Sequence, residues 1–231
     1  MSVHSRPTLL LTRPRAASER FAEGLDGFDV VIAPLMEIVG TGEPITLDGI
    51  AGVILTSENA VPFLPRAALP AYCVGPRTAD AARAAGFDAD VLGPDADGLV
   101  AELSRRAPRG PLLHVHGRHT RGDVEVRLRK AGLEAHGIAV YDQRAAPPDH
   151  AFHEAMRQPQ VIVPLFSPRS AMLFAEAVSC PLDAATLIAM SDAVRDALPA
   201  QLQPRTTVLA HPTGAEMRKA LEPFGLRRNC T

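Results

Sequence analysis

The feature that most constrains the fold of this chain is a repeated alternation between a short apolar run and a longer amphipathic segment. Short apolar runs predict buried strands, and segments with apolar residues three or four apart predict helices. This alternation is typical of α/β units, in which helices connect parallel strands. The predicted strands cover residues 8–12, 28–33, 52–56, 71–74, 111–115, 161–166, 186–190 and 206–210. The predicted helices cover residues 14–25, 57–64, 76–85, 120–131, 168–178, 192–198 and 214–221.

An internal repeat predicts two domains. Residues 53–61 match residues 163–171 in outline, which indicates two similar α/β domains and not a short-period solenoid. The strand–helix units after residue 149 are too few for a domain unless the first two strands join them. The sequence therefore predicts a discontinuous domain of residues 1–36 plus 144–231 and an inserted domain of residues 43–137. The chain crosses between them at residues 37–42 and 138–143, and the extended character of both crossings predicts a two-stranded β-ladder hinge.

Composition argues against several classes of partner. A net charge of -2, with acidic and basic residues mixed along 231 residues, provides no basic surface for nucleic acid. No apolar stretch reaches the ~18 residues that a membrane helix needs, and the first residues do not form a signal peptide. The three cysteines are widely spaced, as reduced thiols of a cytoplasmic protein are. We expect a cytoplasmic monomer without a nucleic-acid or membrane partner.

Four strand ends carry small or hydroxyl residues directly before a predicted helix. In open parallel sheets, ligands bind outside the carboxyl ends of the strands, and helix N-termini there attract anions. For any one of these motifs, ordinary helix capping explains the residues equally well. Together they predict a site for a ligand with several carboxylates. The motifs are Thr12-Arg13-Pro14, Thr56-Ser57-Glu58-Asn59, Gly75-Pro76-Arg77-Thr78 and Phe166-Ser167-Pro168-Arg169-Ser170.

A histidine pair supports a competing hypothesis of a metal site. His114 and His116 lie on one face of a predicted strand, His119 follows closely, and Asp123 offers a carboxylate ligand. Histidines of a buried strand are more commonly satisfied by polar neighbours. We therefore predict no metal.

The order and spacing of these motifs resemble the uroporphyrinogen-III synthase family over nearly the full length of the chain. The resemblance rests on Thr12-Arg13-Pro14, residues 34–38, 55–61 and 74–79, Gly117 with Arg121, Tyr141, and residues 166–171. It implies two flavodoxin-like parallel-sheet α/β domains, one of them discontinuous, joined by a two-stranded β-ladder with the active site between them. It also implies that no cofactor or metal is required.

The resemblance further implies a reaction and its residues. Members of the family cyclise hydroxymethylbilane, which carries eight carboxylates, to uroporphyrinogen III with inversion of ring D and loss of water. This would make the chain a hydro-lyase of tetrapyrrole (porphyrin, haem) biosynthesis, with Tyr141 as the general acid. The implied substrate-binding residues are Thr12, Arg13, Ser57, Asn59, Gly75, Thr78, Gly117, Arg121, Ser167, Ser170 and Ser191.

The chain departs from the family pattern near its last helices. Ser191 stands where the family has a glycine, and Val194 stands where it has a threonine. Asp192, between them, would repel a substrate carboxylate. The contact expected at Ser191 is therefore weaker than its counterpart at Gly75.

A second class of function has the same domain pattern. A hinged two-domain protein that binds or senses a small molecule without catalysis would also show twin α/β domains. Ligand binding without turnover would distinguish it from an enzyme. A nucleotide-binding α/β enzyme is disfavoured, because the chain has neither a GxGxxG nor a GxxxxGK[ST] sequence.

Overall fold

A computed structural model describes residues 6–120, 122–178, 182 and 184–225. The strands are Thr8–Leu11 (β1), Asp29–Ile32 (β2), Met36–Gly40 (β3), Gly52–Leu55 (β4), Pro70–Val74 (β5), Asp88–Gly93 (β6), Leu112–Gly117 (β7), Ala135–Ala145 (β8), Val161–Leu165 (β9), Ala185–Ala189 (β10) and Thr206–Val208 (β11). The α-helices are Arg15–Ala22 (α1), Gly75–Ala84 (α2), Ala96–Arg106 (α3), Val124–Lys130 (α4), His150–Ala155 (α5), Pro168–Ala177 (α6), Asp192–Asp196 (α7) and Gly214–Gly225 (α8). Two 3-10 helices cover Glu58–Phe63 and Gln203–Arg205.

The predicted α/β class is confirmed, with two differences in detail. The helix predicted at residues 57–64 is the 3-10 helix Glu58–Phe63. It contains Pro62, which lacks the N–H that an α-helix interior needs. The prediction omitted β6, α3 and α5. In β6 only two of the six residues are buried, so the strand lacks a continuous apolar run.

The described residues fall into two compact units. The first contains the residues up to Glu37 and those from Arg144 onward, and we call it the split unit. The second runs from Ile38 to Gln143, and we call it the inserted unit.

The sheet of the split unit has the order β2-β1-β9-β10-β11, with every neighbouring pair parallel. Numbering its strands along the chain gives the order 2-1-3-4-5, which is that of flavodoxin-like folds. The switch point of this order lies between β1 and β9. Apolar side chains cover both faces: Leu9 and Leu11 lie in one core cluster and Leu10 in the other, as strand alternation requires.

The sheet of the inserted unit has six strands in the order β3-β8-β7-β4-β5-β6. From β8 to β6 the pairs are parallel and the chain order is 5-4-1-2-3, also doubly wound, with its switch point between β4 and β7. The strands β3 and β8, which contain the two crossings, are neighbours. They pair with each other, as the sequence predicted, and they do so within this sheet. Val53 and Leu55 face one core cluster and Ile54 the other.

A proline ends the pairing between β1 and β9. These strands pair only at Thr8 and Leu9, although β1 continues to Leu11. The carbonyl of Gln160, just before β9, accepts a hydrogen bond from the Thr8 N–H of β1. Alternate residues of a strand direct their backbone groups to the same neighbour, so the even-numbered residues of β9 face β1. Pro164 is such a residue, and it has no N–H to donate. The carboxyl ends of the two strands at this switch point are therefore not paired with each other.

Candidate functional site

The predicted site residues lie at the carboxyl ends of the parallel strands in both units. Ligands of doubly wound sheets bind at this edge, beside the switch point. Arg121 lies outside the described residues.

In the inserted unit, Tyr141 occupies a closely fitted position. A side chain at Gly117 would bring its Cβ to 2.5 Å from Cε2 of the Tyr141 ring, so only glycine fits beneath the ring. The β-bulge that pairs Gly117 with Tyr141 produces this approach. The ring of Phe63 stacks nearby, with centroids 6.1 Å apart. Tyr141 is only 4% exposed and is packed between these neighbours.

The hydroxyl of Tyr141 lies among polar side chains. Burial raises the pKa of the phenol, while hydrogen bonds from the side chains of Ser57 and Asn59 act in the opposite direction. Ser57 also caps the 3-10 helix, because its Oγ accepts a hydrogen bond from the Asn59 N–H at 3.2 Å. Tyr141, Ser57 and Asn59 therefore form one hydrogen-bonded group at the carboxyl edge, with the phenol protonated at neutral pH.

The N-terminus of α2 has free space beside Gly75 and no side-chain cap. Gly75 has a positive φ of 72°, which side chains disfavour, and no atom lies within 4 Å of where its Cβ would be. The N-cap residue, Val74, makes no side-chain hydrogen bond to the helix. Thr78 lies in the first turn and is buried. The first N–H groups of α2 thus lack the side-chain acceptor that most helices provide.

In the split unit, Thr12 directly follows β1 at the switch point. It is 2% exposed, and its Oγ1 is buried without a hydrogen-bond partner among the described residues. A buried hydroxyl without a partner is uncommon, because its desolvation is uncompensated. The guanidinium of Arg13 packs over the Phe166 ring, with Cζ 4.2 Å from the ring centroid. This contact joins the ends of β1 and β9.

Ser167 and Ser170 form a capping box at the start of α6. The Ser167 Oγ accepts a hydrogen bond from the Ser170 N–H, and the Ser170 Oγ accepts one from the Ser167 N–H. Ser191 caps α7 without a side-chain hydrogen bond. The carboxylate of Asp192 lies 2.7 Å from Arg195, and this ion pair offsets the negative charge expected to repel a ligand there.

The histidine pair forms a polar cluster that the sequence only partly predicted. His114 Nδ1 lies 2.6 Å and His116 Nε2 lies 3.3 Å from the same carboxylate oxygen, Oε1 of Glu125. The expected carboxylate, Asp123, takes no part: it precedes α4 with a positive φ of 43°. His119 instead lies 3.5 Å from Asp142. Glu125 was missed because only the first turn of α4 brings it back to β7.

Two pKa shifts characterise this cluster. The hydrogen bond from His114 is the main reason that the pKa of Glu125 falls to about 2, so its carboxylate is ionised. Burial lowers the pKa of His116. The second nitrogen of each ring also has a partner: His114 Nε2 lies 3.2 Å from the Thr56 Oγ1, and His116 Nδ1 lies 2.8 Å from the Gly117 carbonyl.

Comparison with known proteins supports the family that the motifs suggested. A family model described as "Uroporphyrinogen-III synthase HemD" matches residues 19–218. No curated protein sequence gives a significant match.

Two solved structures show the same fold. A uroporphyrinogen-III synthetase from Helicobacter pylori is similar with a TM-score of 0.67 at 15% identity, over 94% of this chain and 99% of that one. A mutant uroporphyrinogen III synthase from Thermus thermophilus is similar with a TM-score of 0.51 at 15% identity, over 96% of this chain and 100% of that one. Because the family model spans most of the sequence, the chain belongs to the uroporphyrinogen-III synthase family.

Proposed function

We propose that this chain cyclises hydroxymethylbilane to uroporphyrinogen III, with inversion of ring D and release of water, and that Tyr141 assists the release. Membership of the family makes the chain a hydro-lyase of tetrapyrrole biosynthesis. The observation that carries the assignment of residues is the position of the Tyr141 hydroxyl. It lies at the carboxyl edge of the sheet, within the hydrogen-bonded group of Ser57 and Asn59.

The first chemical step removes the terminal hydroxyl of the substrate. A proton donated to that hydroxyl lets it leave as water, and the pyrrole ring becomes an electrophilic azafulvenium cation. The phenol of Tyr141 fits this role because burial keeps it protonated. The side chains of Ser57 and Asn59 lower its pKa and so stabilise the phenolate that remains. Ring closure then depends on the folded geometry of the bilane. The proton that it releases returns to the phenolate of Tyr141, so no further catalytic group is required.

The substrate carboxylates need local donors, because the net charge of the chain is -2. The open N-terminus of α2, at Gly75 and Thr78, offers N–H groups in the inserted unit. Thr12 offers a hydroxyl without an internal partner in the split unit. The hydroxyls of Ser167 and Ser170 already serve as caps, so they contribute through the helix that they stabilise. Arg13, Gly117, Arg121 and Ser191 remain in the proposed substrate-binding set.

We also propose that the chain acts as a cytoplasmic monomer, without nucleic acid or membrane partners. Among the described helices, none is both long and apolar enough to cross a membrane. Cys73 is a free, buried thiol, and its pKa is raised to about 12, mainly by burial. A thiol of this kind is stable where thiols are kept reduced.

The test is an assay with freshly prepared hydroxymethylbilane in which the type I and type III isomers are separated by chromatography. The wild-type protein should yield the type III isomer. Tyr141→Phe should lower kcat by about 10²-fold or more, the contribution typical of a general acid, and change KM little. Tyr72→Phe is the matched control, since Tyr72 is the only other tyrosine and has no assigned role.

Two outcomes would contradict the proposal at different levels. Formation of the type I isomer alone, at the uncatalysed rate, would reject the function. An unchanged kcat in Tyr141→Phe, with the type III isomer still formed, would reject only the acid role. Because burial raises the pKa of Tyr141 above that of a free phenol, loss of the phenolic proton should reduce kcat only at a more alkaline pH than an exposed tyrosine would require.

A further inference from the structure

The cluster of His114, His116 and Glu125 contains an unfavourable contact that points to a ligand. The Gly117 carbonyl can only accept a hydrogen bond, so His116 Nδ1, 2.8 Å away, carries a proton. In a neutral imidazole the other nitrogen, Nε2, then holds a lone pair. That lone pair lies 3.3 Å from Oε1 of Glu125, and a carboxylate oxygen is also an acceptor. Two acceptors thus lie side by side without a hydrogen between them.

Either a proton or a metal ion would remove this conflict. A second proton would turn His116 into an imidazolium, and its side chain, only 17% exposed, would carry that charge largely out of water. A metal ion removes the conflict by using the same lone pairs as ligands. His114 Nδ1 points to the same carboxylate oxygen and offers a third ligand atom.

We propose that His114, His116 and Glu125 bind one divalent transition-metal ion of the Zn²⁺ class. The three ligand atoms lie within 4.8 Å of one another. In a tetrahedral site with bonds of about 2.0–2.1 Å, ligand atoms lie about 3.3 Å apart. The His116–Glu125 distance of 3.3 Å already meets this spacing, and the His114–Glu125 distance of 2.6 Å needs only a small side-chain shift.

The surroundings of the three ligands fit a metal site. Metal-bound histidines usually donate their other N–H to a carbonyl or another acceptor, which fixes the ring. His116 Nδ1 does so to the Gly117 carbonyl, and His114 Nε2 faces the Thr56 hydroxyl, which can accept when His114 Nδ1 binds an ion. Gly137 closes one side, because a Cβ there would lie 2.9 Å from the Glu125 Cδ and 3.0 Å from His116 Nε2.

The ligand types select the ion. Imidazole nitrogens bind Zn²⁺, Co²⁺ and similar ions, whereas Mg²⁺ and Ca²⁺ prefer oxygen ligands. Two histidines and one glutamate leave the fourth position of a tetrahedral ion to water. The ion would link the end of β7 to the first turn of α4, beside Thr56 and Gly117. Its role would be to fix this part of the inserted unit, apart from the chemistry assigned to Tyr141.

The experiment is a titration of the metal-free, full-length protein with Co²⁺ as a spectroscopic probe at pH 7.5, followed by displacement with Zn²⁺. We expect one equivalent of Co²⁺ to bind, with the intense visible bands of a tetrahedral site, and Zn²⁺ to remove them. A hundredfold excess of Mg²⁺ should leave them unchanged. These readouts do not depend on enzyme activity, so they are separate from the test of the proposed reaction.

Substitutions locate the site. Glu125→Gln and His116→Gln should each weaken binding at least tenfold, and Thr56→Val should weaken it about tenfold through loss of the support to His114. His136→Gln is the control, because His136 also lies near a glutamate, at 3.4 Å from Glu134, but is exposed. Circular dichroism checks that each variant is folded. Absence of one-equivalent binding in the wild-type protein, or equal binding in folded Glu125→Gln and His116→Gln, would overturn the proposal.

Discussion

The carboxyl edges of the two sheets differ in how their strands and polar groups are arranged. At the switch point of the inserted unit, β4 and β7 stay paired to the end of β4, where Leu55 pairs with Val115. The polar side chains beyond them are hydrogen-bonded to one another. At the switch point of the split unit, β1 and β9 lose their pairing after Leu9, and the buried hydroxyl of Thr12 has no partner among the described residues.

The difference indicates a division of tasks. Polar groups that are already bonded to each other are held in place before a ligand arrives, which suits a group that must donate a proton in a defined direction. A buried hydroxyl without a partner gains its first hydrogen bond when a ligand binds, which suits recognition. We therefore expect substitutions in the inserted unit to affect mainly kcat and stability, and those in the split unit to affect mainly KM.

The largest effect is expected from Gly117→Ala. The new Cβ would overlap the ring of Tyr141, so the ring must move from the position set by Ser57 and Asn59. Overpacking of this kind costs about 1–3 kcal/mol of unfolding free energy, and kcat should fall at least tenfold. Urea denaturation and the isomer assay measure the two effects. Gly214→Ala is the control, because nothing lies within 4 Å of its Cβ position.

Thr12→Val should act with the opposite sign on stability. Removing a buried hydroxyl that lacks a partner should raise the unfolding free energy by about 1 kcal/mol, while KM for hydroxymethylbilane rises. Thermal or urea denaturation of the substrate-free protein gives the first quantity, and initial rates give the second. A destabilised Thr12→Val protein would mean that the hydroxyl has a partner, and the contrast between the two edges would then be lost.

Ser57→Ala should lower the unfolding free energy by about 1 kcal/mol, because the 3-10 helix loses its cap. The hydroxyl of Tyr141 also loses one hydrogen bond, so kcat should fall while KM stays nearly constant. The pair of substitutions Thr12→Val and Ser57→Ala is thus expected to move stability in opposite directions. If both moved it in the same direction, the two edges would be alike.

The smallest change in stability is expected from Pro164→Val. Valine supplies the N–H that β9 lacks toward β1, so one more ladder hydrogen bond can form, worth about 0.5–1 kcal/mol. The same bond draws the end of β1 toward β9 and shifts Thr12. KM should therefore rise although the protein is more stable. An unchanged KM would show that the unpaired strand ends have no part in binding.

Much of the fold was predictable because its signals are local. Most strands and helices were found within a few residues, since buried parallel strands are continuous apolar runs. Strand β6 was missed because it is a half-exposed edge strand, with polar residues where a central strand has apolar ones. Helix α4 begins at Val124 and not at residue 120, because the left-handed Asp123 directly precedes it.

The site was less predictable, because its properties depend on contacts between distant residues. The motifs identified Tyr141 and Gly117 through the family resemblance, but nothing in the sequence says that the ring of Tyr141 lies directly over Gly117. The hydrogen-bonding of Ser167 and Ser170 follows the ordinary capping pattern of adjacent residues. The missing partner of Thr12 is of another kind, since it depends on the whole surroundings of its side chain. The burial of a side chain depends on which elements pack around it, so the burial of the Thr12 hydroxyl could not be predicted from the sequence alone.

The insertion of one unit into another has a consequence for synthesis on the ribosome. Strand β1 must wait for its central neighbour β9, which is encoded about 150 residues later and emerges roughly 8–30 s afterwards at ordinary elongation rates. During that time Leu9, Leu10 and Leu11 have only β2 to pair with, and two strands alone are not stable. The inserted unit, by contrast, is complete as soon as β8 has left the exit tunnel. Limited proteolysis of ribosome-stalled chains that expose residues 1–150 should therefore find the inserted unit protected while β1 and β2 are still cleaved.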